Sequence, residues 1–185
     1  MNVIETRLPG VLLIEPRVFT DERGFFMESF QARRYADAGI TGPFLQDNLS
    51  FSRHEVLRGL HLQHPHAQGK LVYVLQGEVF DVAVDVRQGS PTFGKWFGAS
   101  LSAQNKRQLW VPTGFAHGFC VTCEWALFAY KCTDYYNADA ETTVLWSDPT
   151  IAIDWPVENP ELSEKDAKAL PLSKIDRSRL PVYKA

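Results

Sequence analysis

KLVYVLQGEVFDVAVDV, residues 70–86, decides the class of fold. From Glu78 to Val86 it alternates: Phe80, Val82, Val84 and Val86 share one face, and Asp81 and Asp85 fall on the other, the period of two expected of a half-buried strand. The preceding half is an apolar, β-branched run that closes on Gly77, so the two halves predict an antiparallel hairpin turning at Gln76–Gly77. The same texture recurs outward in VLLIEPRVF, GFFMESF, VLRGLHLQ, GKWFGASL, RQLWVP, HGFCVT, WALFAYKC and TTVLWS. About ten short strands separated by Gly, Pro and Asp predict an all-β sandwich or barrel of antiparallel strands. Helical pattern is confined to two places. QARRYADAG (31–39) ends on a glycine cap. ELSEKDAKAL (161–170) offers Ser163 as N-cap, with Glu164 and Asp166 in a first turn where carboxylates suit the helix dipole. The polar tail beyond Pro171 is expected to pack loosely, so residues 160–185 read as an appendage on a single domain spanning 1–185.

At 185 residues the chain is long enough to bury one sizeable core, and 45% hydrophobic with 22% charged residues is the balance of an ordered globular protein. A net charge of -3 leaves no basic footprint for nucleic acid, so any anionic ligand must be held by local charges. MNVIETRLPG has no basic region followed by an apolar run, and no apolar stretch is long enough to span a bilayer, so a cytoplasmic protein without a membrane partner is expected. Cys120, Cys123 and Cys132 are an odd set and read as structural thiols.

RGLHLQHPHAQGK, residues 58–70, holds three of the five histidines and raises the question of a metal site. PTGFAH (112–117) resembles the second motif of the cupin β-barrel superfamily, and His64 and His66 have the spacing of the histidine pair in the first. Where a metal cupin carries its glutamate, this chain has Lys70, whose ammonium has no lone pair to offer and would repel a cation. The imidazoles of His64, His66 and His117 could still hold zinc, so the idea is weakened and not excluded. Beside Pro65, His64 and His66 read as a solvated loop.

The longer run VLRGLHLQ to AQGKLVYVLQGEVFDVAVDVRQGSPTFGKW, with RQLWVPTGFAHGF, FAYKCTDYY and DPTIAIDWP, resembles the dTDP-4-dehydrorhamnose 3,5-epimerase family, from RVFTDERGFFMESF to LSEKDA. The resemblance implies a metal-free cupin jelly roll with no cofactor, a homodimer, and a dTDP-4-dehydro-6-deoxy-D-glucose substrate in dTDP-L-rhamnose synthesis. Its C4 ketone acidifies the protons on C3 and C5, so epimerisation needs a base, an acid on the opposite face and a cation or donor for the enolate.

By that resemblance His61 is the base, Tyr130 the acid and Asp166 the carboxylate that orients the base; Tyr135 and Tyr136 are rivals to Tyr130. Lys70 is placed to stabilise the charge on the C4 oxygen. His117 is expected to bind the sugar or keto oxygen. Arg23 and Glu28 are implied to reach the partner subunit's nucleotide site. Gln46, Asp47, Asn48, Glu141 and Lys165 match binding positions, and Arg58 suits a bidentate grip on the diphosphate. On a regular strand Arg58 and His61 face opposite sides, so one pocket can hold both only if the chain bulges at Gly59. Leu62 departs from the aromatic residue the family more often has there, with no functional group lost. The rival readings are a single-carbon epimerase of a related dTDP-ketosugar, a metal-dependent cupin and a sugar-binding module.

Overall fold

The computed structural model describes residues 1–184; Ala185, the end of the expected appendage, lies outside the described residues. Two antiparallel sheets face each other as a jelly roll. One has the order β1 (Asn2–Glu5), β2 (Leu12–Glu15), β10 (Gln108–Val111), β7 (Lys70–Gln76), β12 (Trp125–Cys132), β5 (Gln46–Arg53). The other has the order β13 (Glu141–Thr143), β6 (Leu57–Gln63), β11 (Phe115–Val121), β8 (Glu78–Asp85), β9 (Trp96–Ser102). A ribbon of β3 (Val18–Asp21) with β4 (Gly24–Met27) pairs with neither sheet.

The predicted hairpin at Gln76–Gly77 is not there. β7 pairs with β10 and β12, whereas β8 pairs with β11 and β9 in the opposite sheet. Gly77 is the corner between sheets. Its φ is +79°, and a Cβ there would stand 2.1 Å from the Trp125 carbonyl oxygen, a conformation and an approach that suit glycine alone. Alternation reports which side chains share a face; it does not report the strand's partner.

The expected half-exposure of β8 is also corrected, because both of its faces are covered. Val79 and Ala83 point into the core between the sheets, with Val72, Leu101, Phe119 and Phe128. Val82 and Val84 point outward into a second core, which the chain after β13 supplies with Ile151, Leu172 and Leu180. The tail is therefore packed closely. Leu172 and Leu180 are buried, and the carboxylate of buried Asp148 accepts the Leu172 N–H at 2.6 Å. The two acids of β8 are fully buried and each has partners: Asp81 meets His117, and Asp85 accepts from Arg87, Ser90 and Thr92. A buried carboxylate persists only with such bonds.

Both helices occur where the caps place them. Gln31 caps α1 (Ala32–Asp37), with Gly39 at φ +83° beyond it, and Ser163 caps α2 (Glu164–Ala167) by accepting the Asp166 N–H. β1 and β5 were not among the expected strands. In β5 the residues QDNLSFSR lack β-branched side chains, and its strand character comes from eight paired positions on β12.

Candidate active site

Between the sheets lies a cleft of about 440 Å³, whose walls include Arg58, His61, Lys70, His117, Tyr130 and Asp166. It continues into a smaller space of about 230 Å³ that reaches Gln46, Asn48, Tyr136 and Glu141, and His61, Lys70 and Tyr130 border both.

A bulge builds one wall. His61 pairs with His117 and Arg58 with Phe119, so three steps along β6 match two along β11. Gly59, between them, has φ +126°, and a Cβ on it would meet Gly118 Cα at 2.6 Å. The extra residue re-aims the strand, which brings Arg58 and His61 to the same cleft, as the bulge at Gly59 requires.

His61 Nε2 lies 2.6 Å from Asp166 Oδ1. An ionised carboxylate only accepts, so Nε2 carries the proton of this bond, and in the neutral ring the lone pair is left on Nδ1. Burial pushes the Asp166 carboxyl up, but hydrogen bonds and charge from His61, with further bonds from Ser163 and the Gly59 N–H, outweigh it and hold the group below its usual range. The stabilisation from this pair is therefore complete above the ordinary carboxylate range and disappears as pH falls through the lowered value. A second pair stands beside it: His117 Nε2 is 2.9 Å from Asp81 Oδ2, with the imidazole stacked on Phe128.

Lys70, on β7, makes no ion pair among the described residues and projects into the cleft. Burial lowers its pKa below the usual lysine value, opposed by Cys132, Glu141 and Asp81. Burial raises the Tyr130 phenol, so it stays protonated, and its hydroxyl has no partner among the described residues. Of its rivals, Tyr135 is 63% exposed and Tyr136 donates its hydroxyl to Glu141 at 2.9 Å. Lys165 also reaches Glu141, at 2.8 Å, so α2 and β13 are tied across the rim.

Three residues that the resemblance implies for substrate binding, Asp47, Arg23 and Glu28, are outside the cleft. β5 alternates, so Gln46 and Asn48 face in while Asp47 faces out, 69% exposed and paired with Lys131 at 2.9 Å. Arg23 pairs with Asp21 on the β3–β4 ribbon, and Glu28 pairs with Arg34, so neither lines the cleft of its own chain. His64 and His66 sit in a bend away from both spaces, with His66 exposed. Among the described residues no three His, Cys, Asp or Glu side chains converge as a metal would require. Sequence reasoning gave no role to Ser50, Phe119 and Phe128, which line the cleft, nor to Ser52 and Asp81, which hold Arg58 and His117. Asp81 had one signal: an acid within an otherwise apolar strand must find a buried partner.

A family model described as dTDP-4-dehydrorhamnose 3,5-epimerase matches residues 5–174. The chain is 60% identical to a dTDP-4-dehydrorhamnose 3,5-epimerase of Shigella flexneri over 90% of this chain and 93% of that one. A crystal structure of a dTDP-6-deoxy-D-glucose-3,5-epimerase from Legionella pneumophila, in complex with dTDP-4-keto-L-rhamnose, superposes with a TM-score of 0.97 at 57% identity, covering 100% of this chain and 99% of that one. ChmJ, a 3'-monoepimerase from Streptomyces bikiniensis in complex with dTDP-quinovose, shares the fold at a TM-score of 0.90 and 32% identity, covering 96% and 92% of the two chains.

Proposed function

The chain belongs to the dTDP-4-dehydrorhamnose 3,5-epimerase family, and we propose that its cleft performs the reaction with His61 as base, Tyr130 as acid and Lys70 as the fixed cation. The enzyme epimerises C3 and C5 of dTDP-4-dehydro-6-deoxy-D-glucose, giving dTDP-4-dehydro-L-rhamnose. The observation that carries the assignment of roles is that His61 projects from β6 in one sheet and Tyr130 from β12 in the other, into one cleft. A sugar ring between them offers one face to each.

His61 Nδ1 takes a proton from carbon, and the C–H electron pair moves into the ring as the C4 carbonyl becomes an enolate. Asp166 holds the resulting imidazolium. Lys70 donates to the C4 oxygen as its charge grows; a lysine acidified by burial is a stronger donor there. Collapse of the enolate then takes a proton from Tyr130 on the opposite face, which inverts the carbon. One proton is taken and one given at each centre, and exchange with water resets both groups. His117, oriented by Asp81, supplies a further hydrogen bond to the sugar. Arg58 holds the diphosphate in the larger space, which Lys165 also borders, while Gln46, Asn48 and Glu141 border the extension that takes the rest of the nucleotide.

The chemistry needs no metal or cofactor, since the ammonium stands where a Lewis acid would act. Protein treated with EDTA is expected to convert the ketosugar to the L-rhamno product at the untreated rate, followed by NMR. Absence of conversion by the untreated protein would sink the reading.

The exposed surface supports a homodimer. Phe19, Phe25 and Phe26 on the ribbon and Leu49 and Phe51 on the outer face of β5 are all exposed in the single chain, an apolar extent that marks an interface. In this arrangement Arg23 and Glu28 complete the partner's site. Sedimentation is expected to give twice the chain mass. No helix of the described residues is long and apolar enough to cross a membrane, and three free thiols suit the reducing cytoplasm.

A further inference from the structure

We propose that Ser50 is a substrate-binding residue whose hydroxyl donates to an oxygen of the diphosphate held by Arg58. The inference rests on the epimerase reading and deepens it.

Among the described residues, Ser50 Oγ is the buried side-chain oxygen or nitrogen left without a hydrogen bond. Native structures leave few such groups, and an unpaired one costs stability, so its retention calls for a partner absent from the free chain. Its neighbours on the inner face of β5 are occupied. Gln46 Nε2 donates to Asn48 Oδ1 at 3.0 Å, and Ser52 Oγ accepts from Arg58 Nε at 3.0 Å. Across the strand pair stands Phe128, and Phe119 completes that wall, so the nearest side chains offer no acceptor. Serine has three staggered side-chain wells, and a turn about χ1 points the hydroxyl into the cleft.

The surroundings identify the acceptor as an anion. Ser50 borders the larger space, with Arg58, Lys70 and Lys165, and does not border the extension lined by Gln46, Asn48 and Glu141. Arg58 is bound to this protein only through Ser52 Oγ and the Phe51 carbonyl, with no carboxylate partner among the described residues. The one carboxylate in that space, Asp166, is engaged by His61. A guanidinium without a counter-ion, buttressed by Ser52, and a hydroxyl donor two residues along the same strand face fit two oxygens of one phosphate. A bond to a charged oxygen is worth more than one to a neutral sugar hydroxyl, which explains why the free enzyme keeps the unpaired group.

Titration calorimetry with dTDP tests the assignment on wild type and Ser50→Ala, alongside steady-state kinetics and thermal melting. Ser50→Ala is expected to weaken dTDP binding and raise KM by about tenfold, the effect of losing one charge-assisted bond. Its kcat should stay within about twofold of wild type, because the phosphate is bound alike in ground and transition states. Its melting temperature is expected to equal or exceed that of wild type, since the unpaired hydroxyl is gone. Unchanged dTDP affinity, or a lower melting temperature, overturns the proposal. If wild type itself neither binds dTDP nor turns over the ketosugar, the epimerase reading fails with it; if wild type does both and only the variant is unaffected, Ser50 alone is misassigned.

Discussion

His61→Ala is expected to lower kcat/KM by about a thousandfold or more, in the upper part of the range for loss of a positioned general base. The substitution removes the lone pair that takes the carbon-bound proton and leaves Asp166, a buried carboxylate, without its main partner. dTDP binding is expected to change little, because Arg58 and the inner face of β5 are untouched. Steady-state kinetics together with dTDP calorimetry check this. A variant that keeps more than a tenth of wild-type turnover contradicts His61 as the base, and one that loses dTDP binding as well points to a disrupted cleft.

The second large effect belongs to Lys70. Lys70→Met keeps the length and apolar stem but removes the ammonium, and is expected to reduce kcat by about 10²–10³-fold, the scale of a lost donor to a developing oxyanion. Its KM should move far less, since the charge it stabilises exists only during the reaction. The pH profile gives an independent reading. Burial lowers the pKa of Lys70, and the reaction uses its charged form, so wild-type activity falls with rising pH as that group deprotonates, below the usual lysine range. Tyr130 is shifted upward and stays protonated through this window. The residual activity of Lys70→Met is expected to lack that alkaline limb. Because a recessed cation without a counter-ion costs folding stability, the variant should melt no lower than wild type. Equal kcat in variant and wild type would remove Lys70 from the chemistry.

The class of fold was legible in the period of two along residues 78–86 and in the spacing of turns, since these are local consequences of strand geometry. The partner of each strand was not. Gly77 looks like a hairpin turn in sequence and is a corner between sheets in space, because nothing local distinguishes a glycine that reverses a chain from one that lets two backbones meet. Alternation put Asp81 and Asp85 together on one face but did not show that they are fully buried, which their partners His117 and Arg87 make tolerable, one of them remote in sequence. Within the cleft, the residues carried by motifs, His61, Lys70 and Tyr130, were accessible from resemblance. β5 shows the limit. Gln46, Asp47 and Asn48 are adjacent in sequence and read alike, yet strand alternation sends Asp47 outward to Lys131. Arg58 shows the converse: its place beside His61 depends on a bulge that Gly59 suggested and that the register with β11 defines.

The central claim is that one cleft exchanges protons at two carbons flanking a ketone. Incubation of dTDP-4-dehydro-6-deoxy-D-glucose with the enzyme in deuterated water, followed by NMR of the sugar, tests it most directly. Deuterium is expected at both C3 and C5 in the L-rhamno product; label at one carbon only, or at neither, would contradict exchange at both centres.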